Sequence, residues 1–159
     1  MQTIEFAIKM EADGAQYYQE QAKAFADHPI ARAFEMLAEA EIKHQRLLKR
    51  YQQRQSVDQM QDLSKENNVF SQLTAFKNDI ASIPRQLDVY RKALELEKQS
   101  IQLYTSLLDV TSDQSGQKMI RYLIDEEKKH YSLFDELVTL VQRPEEWVED
   151  AEFGQREDY

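Results

Sequence analysis

The chain has 159 residues, 42% hydrophobic and 31% charged, with three Gly and three Pro, a composition that suits one domain of long helices. A formal charge of -9 excludes a phosphate-binding basic face and hence a nucleic-acid partner. Zero Cys excludes disulfides, thiolate zinc and iron–sulfur centres, and the want of a signal-like stretch or an apolar run of about 18 residues points to the cytoplasm, away from membranes.

In chain order, the first helix is expected from about Thr3 to Phe25, with Ile4, Glu11, Tyr18 and Phe25 on one seven-residue row. Ala7, Ile8, Gly14, Ala15 and Ala22 complete its apolar stripe. Asp27-His28-Pro29 ends this helix and starts a second, which buries Phe34, Leu37, Glu41, His44, Leu48 and Tyr51 in steps of three and four. His28 is read as an exposed turn residue.

Residues 55–83 form a polar, Gln-rich link that turns weakly amphipathic at Val69, Leu73, Phe76 and Ile80, room enough for a short helix. Pro84 is expected to open a third helix with Tyr90, Glu97, Tyr104 and Thr111 on its inner row. Ser112-Asp113 caps the fourth, which buries Ile120, Leu123, Glu127, His130, Phe134, Leu137 and Val141, and Pro144 is expected to stop it. The rest is expected to be an acidic, frayed and solvated tail with Trp147 docked on the bundle, or alternatively a short fifth helix packing on a partner subunit.

Short links make each half, 3–54 and 84–141, an antiparallel hairpin. A helix of about 25 residues is about 38 Å long, so the link can run back along the bundle. The expectation is an all-α four-helix bundle over residues 1–143 with one long crossover and a tail at 144–159.

The two halves repeat each other at an offset of 86 residues. Ala7, Glu11 and Tyr18 recur as Ala93, Glu97 and Tyr104, and Glu41 and His44 recur as Glu127 and His130. Phe34, Leu37 and Leu48 recur as Ile120, Leu123 and Phe134. A Glu and a His three residues apart share a helix face, and here both pairs, with Glu11 and Glu97, fall on apolar rows. Buried charges cost several kcal/mol per ion unless compensated. Two divalent cations would neutralise four carboxylates, so the pattern fits a dinuclear metal site. The alternative is a metal-free bundle with polar core residues.

These motifs, Ala7-x3-Glu11-x6-Tyr18, Glu41-x-x-His44, Ala93-x3-Glu97-x6-Tyr104 and Glu127-x-x-His130, resemble the rubrerythrin branch of the ferritin-like superfamily over roughly residues 3–141. The resemblance implies a ferritin-like bundle in which Glu41 and Glu127 bridge two metals. Glu11 and Glu97 would be terminal carboxylates, and His44 and His130 would each bind one metal. Tyr18 and Tyr104 would hydrogen-bond the terminal carboxylates and fix their geometry; alternatively they are plain core aromatics. A homodimer, with or without helix exchange, is implied by the resemblance alone.

Two departures stand out. The Cys-bearing rubredoxin domain common in rubrerythrins has no counterpart here, so electrons must come from an external donor. Where a further carboxylate is common, the chain has Ser100, and Gly14 at the repeat position. The remaining set of four Glu and two His is similar to bacterioferritin-type ferroxidase centres. Gly14 and Ser100 leave space beside the metals for O2 or peroxide, or serve close helix packing.

Carboxylate and imidazole donors suit Fe first, then Mn or Zn. A reduced di-iron or Fe/Mn pair has two electrons for peroxide or O2, which makes a non-haem oxidoreductase the leading expectation. An iron-sequestering ferroxidase protein is the runner-up, and a redox-silent metal-stabilised bundle the third reading.

Overall fold

The computed structural model describes residues 3–54 and 84–154, with side chains described through residue 142. These residues form four helices: α1 (Ile4–Ala24), α2 (Ile30–Gln52), α3 (Leu87–Val110) and α4 (Gln114–Gly154). They pack as an all-α four-helix bundle, in which α1 pairs with α2 and α3 with α4.

Local chemistry explains where the helices begin. Thr3 caps α1 by accepting the Phe6 N–H at 3.3 Å. Asp113 caps α4: its Oδ2 accepts the Gly116 N–H at 2.8 Å, and its Oδ1 accepts the Tyr51 hydroxyl at 2.7 Å. His28 is partly buried rather than exposed, and its Nδ1 accepts the Ile30 N–H at 3.1 Å. Ile30 is the first residue of α2, so its N–H has no intrahelical acceptor and is taken by the imidazole.

Two boundaries differ from the sequence expectation. Helix α3 begins at Leu87, because the Pro84 carbonyl is taken by the Tyr90 hydroxyl at 2.8 Å and by the Gln86 N–H at 2.9 Å. Helix α4 does not stop at Pro144 but runs to Gly154. Proline removes only one intrahelical hydrogen bond, and the Glu-rich residues after it favour helix. The proposed crossover, with Val69, Leu73, Phe76 and Ile80, and the Trp147 side chain lie outside the described residues.

The core divides into two apolar layers. One contains Tyr18, Phe34, Leu37, Ala93, Leu133 and Phe134, with Tyr18 and Phe34 both stacked on Phe134. The other contains Ala7, Leu47, Leu48, Tyr104, Ile120 and Leu123. The 86-residue repeat exchanges them: Tyr18 maps onto Tyr104, Phe34 onto Ile120, and Leu48 onto Phe134. The repeat is therefore a pseudo-twofold that turns the bundle end for end. Helix α2 ends in the second layer and α3 begins in the first, so Arg54 and Pro84 lie at opposite ends of the bundle. That is the geometry a long crossover has to join.

Candidate metal centre

The side chains that lie between the two apolar layers come one or two from each helix. Glu11 on α1 and Glu97 on α3 each contribute a carboxylate; Glu41 and His44 on α2, and Glu127 and His130 on α4, contribute the pairs. Each of the six is at most 4% exposed, as expected from their places on apolar rows. All six metal ligands expected from the sequence thus converge.

They converge as two overlapping groups, Glu11/Glu41/His44/Glu127 and Glu41/Glu97/Glu127/His130, and within each the donor atoms lie within 4.8 Å of one another. His44 Nδ1 is 3.1 Å from Glu127, 3.4 Å from Glu41 and 3.5 Å from Glu11. His130 Nδ1 is 3.1 Å from Glu41, 3.4 Å from Glu127 and 3.5 Å from Glu97. Two donors each about 2.1 Å from one ion are about 3.0 Å apart at an octahedral edge and about 3.4 Å at a tetrahedral one. The spacings match that requirement, and only Glu41 and Glu127 belong to both groups. The two imidazoles lie nearly parallel, centroids 5.8 Å apart.

The tyrosines pair across the halves. Tyr18 donates to Glu97 Oε1 and Tyr104 donates to Glu11 Oε1. Spacing alone does not show this, because seven residues along a helix is about 10.5 Å, too far for each Tyr to reach the Glu of its own helix. The opposite hairpin brings the partner within reach.

The electrostatics reflect four carboxylates and two imidazoles crowded together out of water. Burial, then the Glu41 charge, pushes the Glu11 carboxyl up to about 8. Burial, then Glu127, does the same to Glu97, also to about 8. For His44, burial opposes the charged form, yet Glu11 and Glu127 outweigh it and hold the imidazole well above its ordinary value. Burial likewise opposes His130, and Glu97, Glu127 and Glu41 hold it well above. Burial and Glu11 work against Glu127, but hydrogen bonds from Glu97, His130 and His44 hold it below the usual carboxylate range. Protons would therefore compete with any divalent cation for the same groups.

Two buried carboxylate oxygens, Glu11 Oε2 and Glu127 Oε2, have no hydrogen-bond partner among the described residues. Each has an imidazole near it, His44 Nδ1 at 3.5 Å from Glu11 Oε2 and His130 Nδ1 at 3.4 Å from Glu127 Oε2. A buried carboxylate oxygen without a well-formed hydrogen bond is costly, and a cation would satisfy both. The four-Glu, two-His donor set fits two divalent ions. It contains no sulfur, so it favours metals at home with oxygen and nitrogen donors.

A cavity of about 230 Å³ reaches this cluster between α1 and α3, with Glu41, Glu97 and Tyr18 at its floor and Gly14 and Ser100 in its walls. A Cβ on Gly14 would stand 3.7 Å from Glu41 Cγ, so the glycine lies directly over a shared carboxylate. Sequence reasoning missed Tyr122, which meets His44 edge-on at 6.5 Å. Its repeat mate is Met36, so the offset carries no signal for it.

Comparison with known families agrees with this geometry. Residues 2–138 match the family model for rubrerythrin. No curated protein and no solved structure matches the chain. With the match spanning both hairpins and all six converging side chains, the chain belongs to the rubrerythrin family.

Proposed function

We propose that the protein is a non-haem di-metal oxidoreductase of rubrerythrin type, holding two Fe, or Fe with Mn, and reducing peroxide or O2 with electrons from an external donor. The observation that carries the reading is the sharing of Glu41 and Glu127 between the two imidazoles, at 3.1 to 3.4 Å from each. In this reading both ions would be held by those two carboxylates. Glu11 with His44 completes one ion's ligands, and Glu97 with His130 completes the other's. When bound, the pair supplies two electrons at one place, matching the two-electron reduction of an O–O bond.

The chain's own residues set the conditions. Tyr104 and Tyr18 hold Glu11 and Glu97 in place, which preserves donor geometry as charge changes. The apolar layers exclude water on both sides, and the cavity between α1 and α3 gives small molecules a way in. No helix among the described residues is long and apolar enough to cross a membrane. A cytoplasmic homodimer with a separate electron-donor protein completes the proposal.

A second reading, iron binding and ferroxidase activity without turnover, is favoured by Gly14 and Ser100, which add no further carboxylate to the symmetric set. One experiment separates the two. Protein loaded anaerobically with Fe(II) is mixed with hydrogen peroxide, then with a reductant, over repeated cycles. The oxidoreductase reading expects one peroxide consumed per two metals in every cycle, with metal content constant. Iron taken up beyond two per chain, with no recycling, would favour sequestration.

A further inference from the structure

The cavity is larger than hydrogen peroxide needs. A water takes about 30 Å³ of liquid volume, and a dry cavity of about 150 Å³ accepts a benzene ring. The space here is about 230 Å³. It lies near the pseudo-twofold, because three repeat pairs line it: Met10 with Leu96, Asp13 with Gln99, and Gly14 with Ser100. Its floor breaks that symmetry. Glu97 and Tyr18 are present but their mates Glu11 and Tyr104 are not, so the cavity meets the centre on its His130 side.

Exposure grades inward from the mouth. Phe6, 48% exposed, stands at the rim with Lys9. Met10, Leu96, Gly14 and Ser100 are partly buried, and the floor residues are fully buried. The mouth is therefore polar, with Lys9, Asp13 and Gln99 exposed there, the middle is lined by Met10, Leu96 and Gly14 with the Ser100 hydroxyl, and the buried carboxylates lie at the floor. Such a space suits a molecule with an apolar body and a polar, oxygen-bearing head.

We propose that this cavity seats the organic group of a small hydroperoxide, of alkyl to phenyl size, and directs its O–O bond toward the His130 side of the centre. The substrate assignment rests on the peroxide-reducing reading above. The reaction is ROOH + 2 e⁻ + 2 H⁺ giving ROH and H2O. The O–O bond breaks, the hydroperoxide is reduced, and the reduced metal pair is oxidised by two electrons that the external donor restores. Gly14 and Ser100 are the residues whose small size makes room for the organic group.

The binding test uses 2-phenyl-2-propanol, the alcohol product of cumene hydroperoxide, and the full chain loaded with redox-silent Zn(II) and labelled at the methionine methyls. The Met10 methyl signal shifts saturably while those of the core residues Met36 and Met119 do not. Ser100→Leu abolishes the shift; Ser100→Met, with a flexible side chain, gives the same result should the branched one disturb α3. No saturable shift at Met10 overturns the proposal.

The kinetic arm uses the iron-loaded protein. Ser100→Leu lowers kcat/KM for cumene hydroperoxide at least tenfold more than for hydrogen peroxide. Alcohol binding in a protein that reduces hydrogen peroxide but not cumene hydroperoxide overturns the substrate assignment. Alcohol binding with neither peroxide reduced sinks the peroxidase reading, and with it the substrate assignment, while confirming the cavity as an organic site.

Discussion

The hydroxyl of Tyr18 on α1 hydrogen-bonds the carboxylate of Glu97 on α3, 79 residues further along the chain. Tyr104 returns the relationship to Glu11. Each tyrosine is packed in one apolar layer and tethers a donor from the other hairpin. The hairpins are therefore joined at the metal centre by paired polar contacts as well as by the core.

Tyr18→Phe keeps the ring, and hence the stacking on Phe134, but removes the tether on Glu97. Loss of such an outer hydrogen bond weakens metal affinity about 10- to 100-fold. Titration with Co(II), followed in the visible spectrum, should show one of the two ions binding more weakly, with helicity unchanged. Tyr18→Phe/Tyr104→Phe should weaken both. Unaltered affinity in the double variant would make the tyrosines core aromatics only.

The metal-free protein should lose stability as pH rises. Glu11 and Glu97 have carboxyls raised from 4.5 to about 8, so between those values the folded chain holds protons that the unfolded chain has shed. Stability then falls with pH across that window. His44 and His130, raised above 6.5, act in the same sense: their contribution is full below 6.5 and is lost as pH passes their folded values. Glu127, lowered from 4.5, has the opposite sign but acts only at and below that value. Tm of the chelator-treated protein should drop at least about 5 °C from pH 5 to pH 8, about 2 kcal/mol for a chain of this size. Saturating Zn(II) should reverse the trend, since its ligands must be deprotonated. A flat metal-free profile would contradict the raised carboxyls.

Gly14 in α1 and Gly116 in α4 should respond oppositely to alanine. A Cβ on Gly116 would come within 2.8 Å of Tyr51 Cζ and of Thr111 Cγ2, where overpacking costs about 1–3 kcal/mol. Gly116→Ala should lower Tm, breaking the Tyr51–Asp113 contact that ties α2 to the start of α4. Gly14→Ala meets only ordinary contacts, 3.7 Å or more from Glu41, and gains about 1 kcal/mol of helix propensity. Its Tm should hold or rise. Thermal melts of both variants at pH 5 check the contrast.

Much of this was legible because charge on an apolar row is conspicuous. Glu11, Glu41, His44 and their repeats stand out where Leu or Ile would be expected, and an ungapped offset makes chance unconvincing. The hairpins followed from short links. The features that stayed hidden depend on tertiary placement. Tyr90, by taking the Pro84 carbonyl, delays the start of α3, and the helix-favouring residues after Pro144 carry α4 onward. His28 caps α2 through a contact that its position in a turn did not announce. Crossed tyrosine pairing and the cavity between α1 and α3 arise only when the hairpins meet.

The central claim is a two-ion centre that shares Glu41 and Glu127. It is tested most directly by metal analysis of protein purified anaerobically without chelators, beside Glu127→Ala/His130→Ala. The account predicts about two Fe, or Fe plus Mn, per chain in the wild type, since two overlapping donor groups are present, and loss of both ions in the variant. No bound metal in the wild type, or a metal content and thermal melt unchanged by the substitutions, would contradict it.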